Sequence, residues 1–226
     1  MLNVSATDYR FPAYTPAEVA VDRVIHFVGV PAAFASACWL IVTADPARGD
    51  RLLVTLVLYG TALVGTLAAS AAYNLTPAGP NKEFLRRIDH SMIFVMIGAT
   101  YTPLALNAML PIDGLILCIE VWTLAAVGIV ISVCYPRRYD GALLGLYLCM
   151  GWLVLGVIRT LIERLPQTAL LLLLTGGVVL TLGAFIHTRD RLQYHNAIWH
   201  ALVLVGTGLH LAAIHVAFAP VDAVFL

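Results

Sequence analysis

Apolar positions run through this chain in seven blocks of roughly twenty residues, near 24–44, 52–74, 89–109, 114–135, 141–160, 167–187 and 196–219. A helix rising about 1.5 Å per residue needs about 20 mostly apolar residues to cross a hydrocarbon core of about 30 Å. Each block meets that length, and short polar or turn-forming strings separate them: "DPARGD", "TPAGPNK", "LPIDG", "YPRRYDG", "ERLPQ" and "TRDRLQYH". The pattern predicts an all-α integral membrane bundle of seven transmembrane helices, organised as a single membrane domain over 1–226. The first twenty residues carry Asp8, Arg10 and Glu18 with no apolar core before residue 24, which does not read as a cleavable signal peptide. Pro103 falls inside the third block and predicts a kink there, with Thr100 or Thr102 serving the carbonyl freed near Ala99. "GALLG" at 141–145 predicts close packing at the start of the fifth helix.

Composition agrees with the blocks. Hydrophobic residues make up 61% and charged residues 12%, and the mean hydropathy is +0.89, outside the usual soluble range. Charge adds an orientation. With the N-terminus inside, Arg10, Arg23, Lys82, Arg86, Arg87, Arg137, Arg138, Arg189 and Arg191 fall on the cytoplasmic side, against Arg48, Arg51, Arg159 and Arg164 outside. Nine against four predicts a cytoplasmic N-terminus and an external C-terminus. The net charge is zero and gives no reason to expect a nucleic-acid partner. Cys38, Cys118, Cys134 and Cys149 lie within the blocks without Cys-x-x-Cys spacing and read as small apolar packers.

Once the blocks are oriented, polar residues gather at one depth. Glu18, Asp22 and His26 open the first helix, Ser70 and Asn74 close the second, and Asp89 and His90 open the third. His187 closes the sixth, and His195, Asn196 and His200 open the seventh. All of these belong to the predicted cytoplasmic ends, while His210 and His215 lie deeper or toward the outside. Residues four apart share a helix face, so Glu18, Asp22 and His26, the pair Ser70 and Asn74, and the pair Asn196 and His200 can each point at a common centre. Ionisable groups near hydrocarbon are costly and usually mark function or a paired network. The blander alternatives are interfacial histidines that simply hydrogen-bond at the boundary, and an Asp89 that caps its helix and pairs with Arg86.

These residues resemble the hemolysin III proteins, the bacterial branch of the superfamily that includes the progestin and adiponectin receptors. "EVAVDRVIH" is similar to the family's Glu-x3-Asn-x3-His, with Asp22 in the Asn place. "SAAYN" stands where the family has Ser-x3-His, and "LRRIDHSMIFVMIGATYTP" is close to its Asp-His start and Gly-(Thr/Ala)-Tyr-Thr-Pro signature. "NAIWH" stands against His-x3-His. The resemblance implies a zinc ion near the cytoplasmic side, held at the places of Asn74, Asn196 and His200, with Asp89 holding a zinc-bound water. Two of those three imidazoles are asparagines here, and a carboxamide oxygen is a poor zinc ligand. The inherited site should therefore hold zinc weakly unless other groups are recruited, with His26 and Asp89 the nearest by depth. His195 points about 100° away from Asn196 around the helix and is no simple replacement. Asn74 and Asn196 can instead hydrogen-bond to each other, or to Asp89 and Ser70, in a network that includes Glu18 and Asp22.

The resemblance implies a metal-dependent hydrolase acting on a lipid amide such as ceramide in the bacterial inner membrane. Asp89 would orient the water, Ser70 would support the developing oxyanion, and His200 with His26 would hold the metal. The alternative is a non-enzymatic protein that binds lipid or modulates the membrane, its polar cluster a metal-free hydrogen-bonded network. In either case the expected partners are membrane lipids and a lipid-like ligand. The blocks contain no ring of like charges of the kind that lines an ion pore.

Overall fold

Thr15 and Pro16 set the first helix. Pro16 supplies a pre-organised φ at the first helical position, and Thr15 forms a capping box with Glu18, whose carboxylate accepts from the Thr15 amide at 2.8 Å. In the computed structural model, which describes residues 11–220, this helix, α1, runs Pro16–Val42. It is followed by α2 (Asp50–Leu75), α3 (Pro80–Ala108), α4 (Pro111–Cys134), α5 (Asp140–Trp152), α6 (Ile158–Arg164), α7 (Gln167–His187) and α8 (His195–Phe218). Seven spans are long and apolar enough to cross a membrane, α5 and α6 together counting as one over Asp140–Arg164. The described residues contain no strand. The sixth and seventh spans of the sequence pattern are thus α7 and α8.

Neighbouring helices pack in chain order, and α8 closes back on α1. Apolar lipid offers helices little hydrophobic reason to associate, so close backbone approach and buried hydrogen bonds carry the packing. Tyr59, Phe94, Leu56 and Met150 are fully buried. A Cβ on Gly206 of α8 would lie 2.6 Å from Leu180 Cγ, and one on Gly176 of α7 would lie 3.1 Å from the Gly206 carbonyl oxygen. The α7–α8 crossing therefore depends on both glycines. The "GALLG" glycines do not act this way: a Cβ on Gly141 or Gly145 would meet nothing within 4 Å, so the expected close packing at the start of α5 is absent.

Two features differ from the pattern read along the chain. The third helix starts nine residues earlier than its apolar block, at Pro80, because proline at the first helical position and the acidic Glu83 in the first turn favour initiation there. Asp89 is therefore interior to α3 and caps nothing. Arg86 pairs with Asp140 at 2.5 Å rather than with Asp89, and the buried Glu83 pairs with Arg137 at 2.7 Å. Both bridges tie the start of α3 to the segment around the α4–α5 turn.

The fifth span is not one helix. A 3-10 segment, Leu153–Val157, separates α5 from α6. The Tyr101 hydroxyl of α3 sits at the break, accepting from the Val154 amide at 2.8 Å and facing the Met150 and Gly151 carbonyl oxygens at 2.9 and 3.1 Å. Backbone groups released from the helical ladder must be satisfied inside a membrane, and this side chain serves them. Around Pro103, Thr100 and Thr102 donate to the carbonyls of Met96 and Gly98 rather than to that of Ala99.

Candidate functional site

The site forms where the N-terminal turns of α1 and α8 meet the C-terminal turns of α2. Asp22 and His26, one turn apart on α1, turn the same face inward, and α8 brings His200 against them. His200 Nδ1 lies 2.5 Å from Asp22 Oδ1, and His26 Nε2 lies 3.5 Å from Asp22 Oδ2. The two imidazole rings are 4.5 Å apart between centroids. All three residues are buried, and one ligand-capable atom from each lies within 4.8 Å of the others.

From α2, Ser70 Oγ and Asn74 Nδ2 each approach His200 Nε2 at 3.4 Å. The amide orientation of Asn74 follows from its partners. Its Nδ2 faces the Ser70 carbonyl oxygen at 2.9 Å, which only accepts, while its Oδ1 accepts from Asn196 Nδ2 at 3.3 Å. His200 Nε2 therefore accepts from Asn74, and its proton sits on Nδ1, donated to Asp22. The chain runs Asn196, Asn74, His200, Asp22, with every donor pointing toward the carboxylate. The structure thus brings the two asparagines together and turns them onto the single retained imidazole.

Two cavities flank His200. The larger, of about 790 Å³, has Asp22, Asn74, Asn196, Lys82 and Arg137 at its polar end and apolar walls from α3, α5, α7 and α8 beyond. The smaller, of about 40 Å³, is lined by His26, Ser70, Asp89 and His200 among apolar neighbours. Asp89 and His200 border both. The small cavity has the volume and polar partners that a buried water requires. His26 Nε2 is buried and makes no hydrogen bond in the described structure. An unsatisfied buried nitrogen costs about 1–3 kcal/mol and calls for a partner.

The remaining polar residues take other places. Glu18 serves the two helix entries, capping α1 and accepting from the Tyr194 amide at 2.9 Å. His195 turns away from Asn196 and packs at a tilt of 51° against Tyr14, with ring centroids 5.7 Å apart. Burial lifts the Tyr14 phenol above its ordinary pKa, so it remains a neutral donor. Asp89 contacts His90 Nδ1 at 3.3 Å. Asp22 is the member that sequence reasoning placed only in the surrounding network, although its i, i+4 spacing to His26 was visible and is the spacing that sets two ligands on one helix face.

The description "Haemolysin-III related" belongs to the family whose profile matches residues 18–211. The "Hemolysin-3 homolog" of Bacillus subtilis (strain 168) is 29% identical over 194 residues, which cover 86% of this chain and 91% of the relative. "Hemolysin-3" of Bacillus cereus is 28% identical over 200 residues, covering 88% and 91%. The human "Monocyte to macrophage differentiation factor" is 26% identical over 172 residues, covering 71% and 69%. No solved structure matches the chain.

Proposed function

The chain belongs to the Haemolysin-III related family of multi-pass membrane proteins, and from that premise we propose that it is a lipid amide hydrolase with its zinc site moved onto α1. The observation that carries this reading is the buried group Asp22, His26 and His200, of which Asp22 and His200 line the large cavity and His26 the small one. Two imidazoles and a carboxylate match the donor sets of three-ligand catalytic zinc sites, whereas the inherited set with two carboxamides does not. His26 Nε2, which makes no hydrogen bond and meets Asp22 only at 3.5 Å, supports the fit. Asp22, which stands in the family's Asn place, supplies the anionic ligand that the two asparagines cannot.

Zinc held there would supply a Lewis acid and lower the pKa of a bound water. The chain's own residues supply the rest. The apolar part of the large cavity takes the acyl chain of an amphiphile, leaving its amide carbonyl at the polar end. Asp89, bordering both cavities, orients a water held in the small one and accepts its proton as the oxygen bonds to the carbonyl carbon. It returns that proton to the leaving nitrogen as the C–N bond breaks, which balances the hydrolysis to acid and amine. Ser70, beside that water, offers its hydroxyl to the oxygen that gains charge. We place the polar end in the cytoplasm on the distribution of basic residues, and the protein in a bacterial inner membrane on its likeness to the Bacillus relatives.

Purification without chelators should yield close to one zinc per chain, with fluorescent ceramide turned over in liposomes. Asp22→Asn should weaken zinc by about 100-fold or more and abolish turnover. Metal-free native protein would overturn the zinc assignment. A second reading would then stand, because the hydrogen-bond chain from Asn196 to Asp22 is complete without metal: an amphiphile-binding membrane protein with no hydrolytic step. It predicts that copurifying lipid is recovered intact.

A further inference from the structure

The deep part of the large cavity contains a polar atom that nothing above uses. His210 lies on α8, ten residues beyond His200, which at about 1.5 Å per residue is about 15 Å along the helix. Its ring packs over Gly176 of α7, where a Cβ would lie 2.5 Å from Cδ2 and 2.7 Å from Nε2. Nε2 faces the Leu173 carbonyl oxygen at 3.3 Å. A carbonyl only accepts, so the ring proton sits on Nε2 and Nδ1 presents a bare lone pair. His210 is part-buried and lines the cavity. Nδ1 has no hydrogen-bond partner in the described structure, where only Nε2 is engaged.

The protons of the other polar groups around this part of the cavity are already committed. Thr100 donates to Met96, Thr207 to Val203 and Thr181 to Gly177. Trp152 Nε1 donates to Thr181, and Tyr101 serves the break in the fifth span. The protons there are thus spent on protein acceptors, and His210 Nδ1, more basic than the threonine oxygens, is the strongest acceptor left to receive an O–H or N–H from a ligand.

We propose that His210 is a specificity-determining residue that reads a hydroxyl on the ligand's chain, about 15 Å from the group held at His200. That distance is about a dozen carbons of extended chain, given C–C bonds of about 1.5 Å in zigzag. The ligand class is therefore an amphiphile hydroxylated near the middle of a long acyl chain. This rests on the reading of the large cavity as the amphiphile site and is independent of zinc and of hydrolysis. A site built to bond a hydroxyl discriminates against the chain that lacks it.

The test uses the full chain in phosphatidylcholine nanodiscs, with Trp152 and Trp199 at the cavity wall as fluorescence reporters. Octadecanoic acid, 12-hydroxyoctadecanoic acid and 2-hydroxyoctadecanoic acid are titrated in parallel. The expected result is an affinity about five-fold higher for the 12-hydroxy acid than for the other two, the return of one net hydrogen bond. His210→Leu, or His210→Phe where a ring is needed to keep the packing over Gly176, should bind all three equally while keeping the affinity for octadecanoic acid. Equal affinities in the unmodified protein overturn the proposal, whatever the variants do. A 12-hydroxy preference that survives both substitutions overturns it as well. If none of the three acids binds, the amphiphile reading of the cavity falls and takes this inference with it, an outcome distinct from equal binding.

Discussion

Both ring nitrogens of His200 are occupied, one by Asp22 and the other by Asn74 and Ser70, so no neighbour can change without altering what the imidazole does. Asn74 holds the middle of that chain. Asn74→Ala removes an acceptor from Asn196 and a donor from His200, leaving buried polar groups unpaired. The expected cost is about 1–3 kcal/mol, read as a fall of several degrees in thermal unfolding in detergent. Asn74→Asp keeps the acceptor but sets a second carboxylate near Asp22, and it should destabilise further as pH rises and the new group ionises. Much of this centre was legible in the sequence: four-residue spacings set Asp22 with His26, Ser70 with Asn74, and Asn196 with His200. What spacing cannot give is which side of His200 each neighbour takes. That depends on how α1, α2 and α8 rotate against one another, a tertiary outcome with no local signal.

At the scale of elements, the fifth span is the place where a uniform apolar run conceals a break. No proline marks it; Gly151 precedes and Gly156 lies within the stretch in which the ladder changes to 3-10 bonding, and the compensating group comes from another helix. Tyr101→Phe removes that hydroxyl and leaves the Val154 amide without its partner. It should cost about 1–3 kcal/mol, and exchange of the amides around residues 150–157 should quicken while that of α2 and α8 is unchanged. Equal protection in the variant would mean that the break is held by something other than Tyr101. The start of α3 shows the complementary case. Its signals, Pro80 and Glu83, were present in the sequence, but they lie in a charged stretch that the apolar block excluded. The consequence was to make Asp89 a helix opener when it is an interior residue of α3.

For the whole molecule, the seven-helix architecture was the most legible property, because bilayer thickness imposes a length on each span and a chain this apolar has few alternatives. Orientation rests on charge alone. Reporters that work only outside the cell membrane should be active when fused at Phe218, and reporters that work only in the cytoplasm when fused in the loop at residues 76–79; the reverse pattern would invert the assignment of every loop. The close α7–α8 crossing was not legible, since nothing in the sequence sets Gly206 apart from Gly208, two residues on, whose surroundings are open. The large cavity has a mechanical consequence. A folded state with a largely apolar cavity of about 790 Å³ occupies more volume than its collapsed form, so hydrostatic pressure acts against it. An amphiphile that fills the space removes that excess volume. The midpoint pressure for loss of structure should therefore rise with occupancy, which makes compression a measure of how full the protein is.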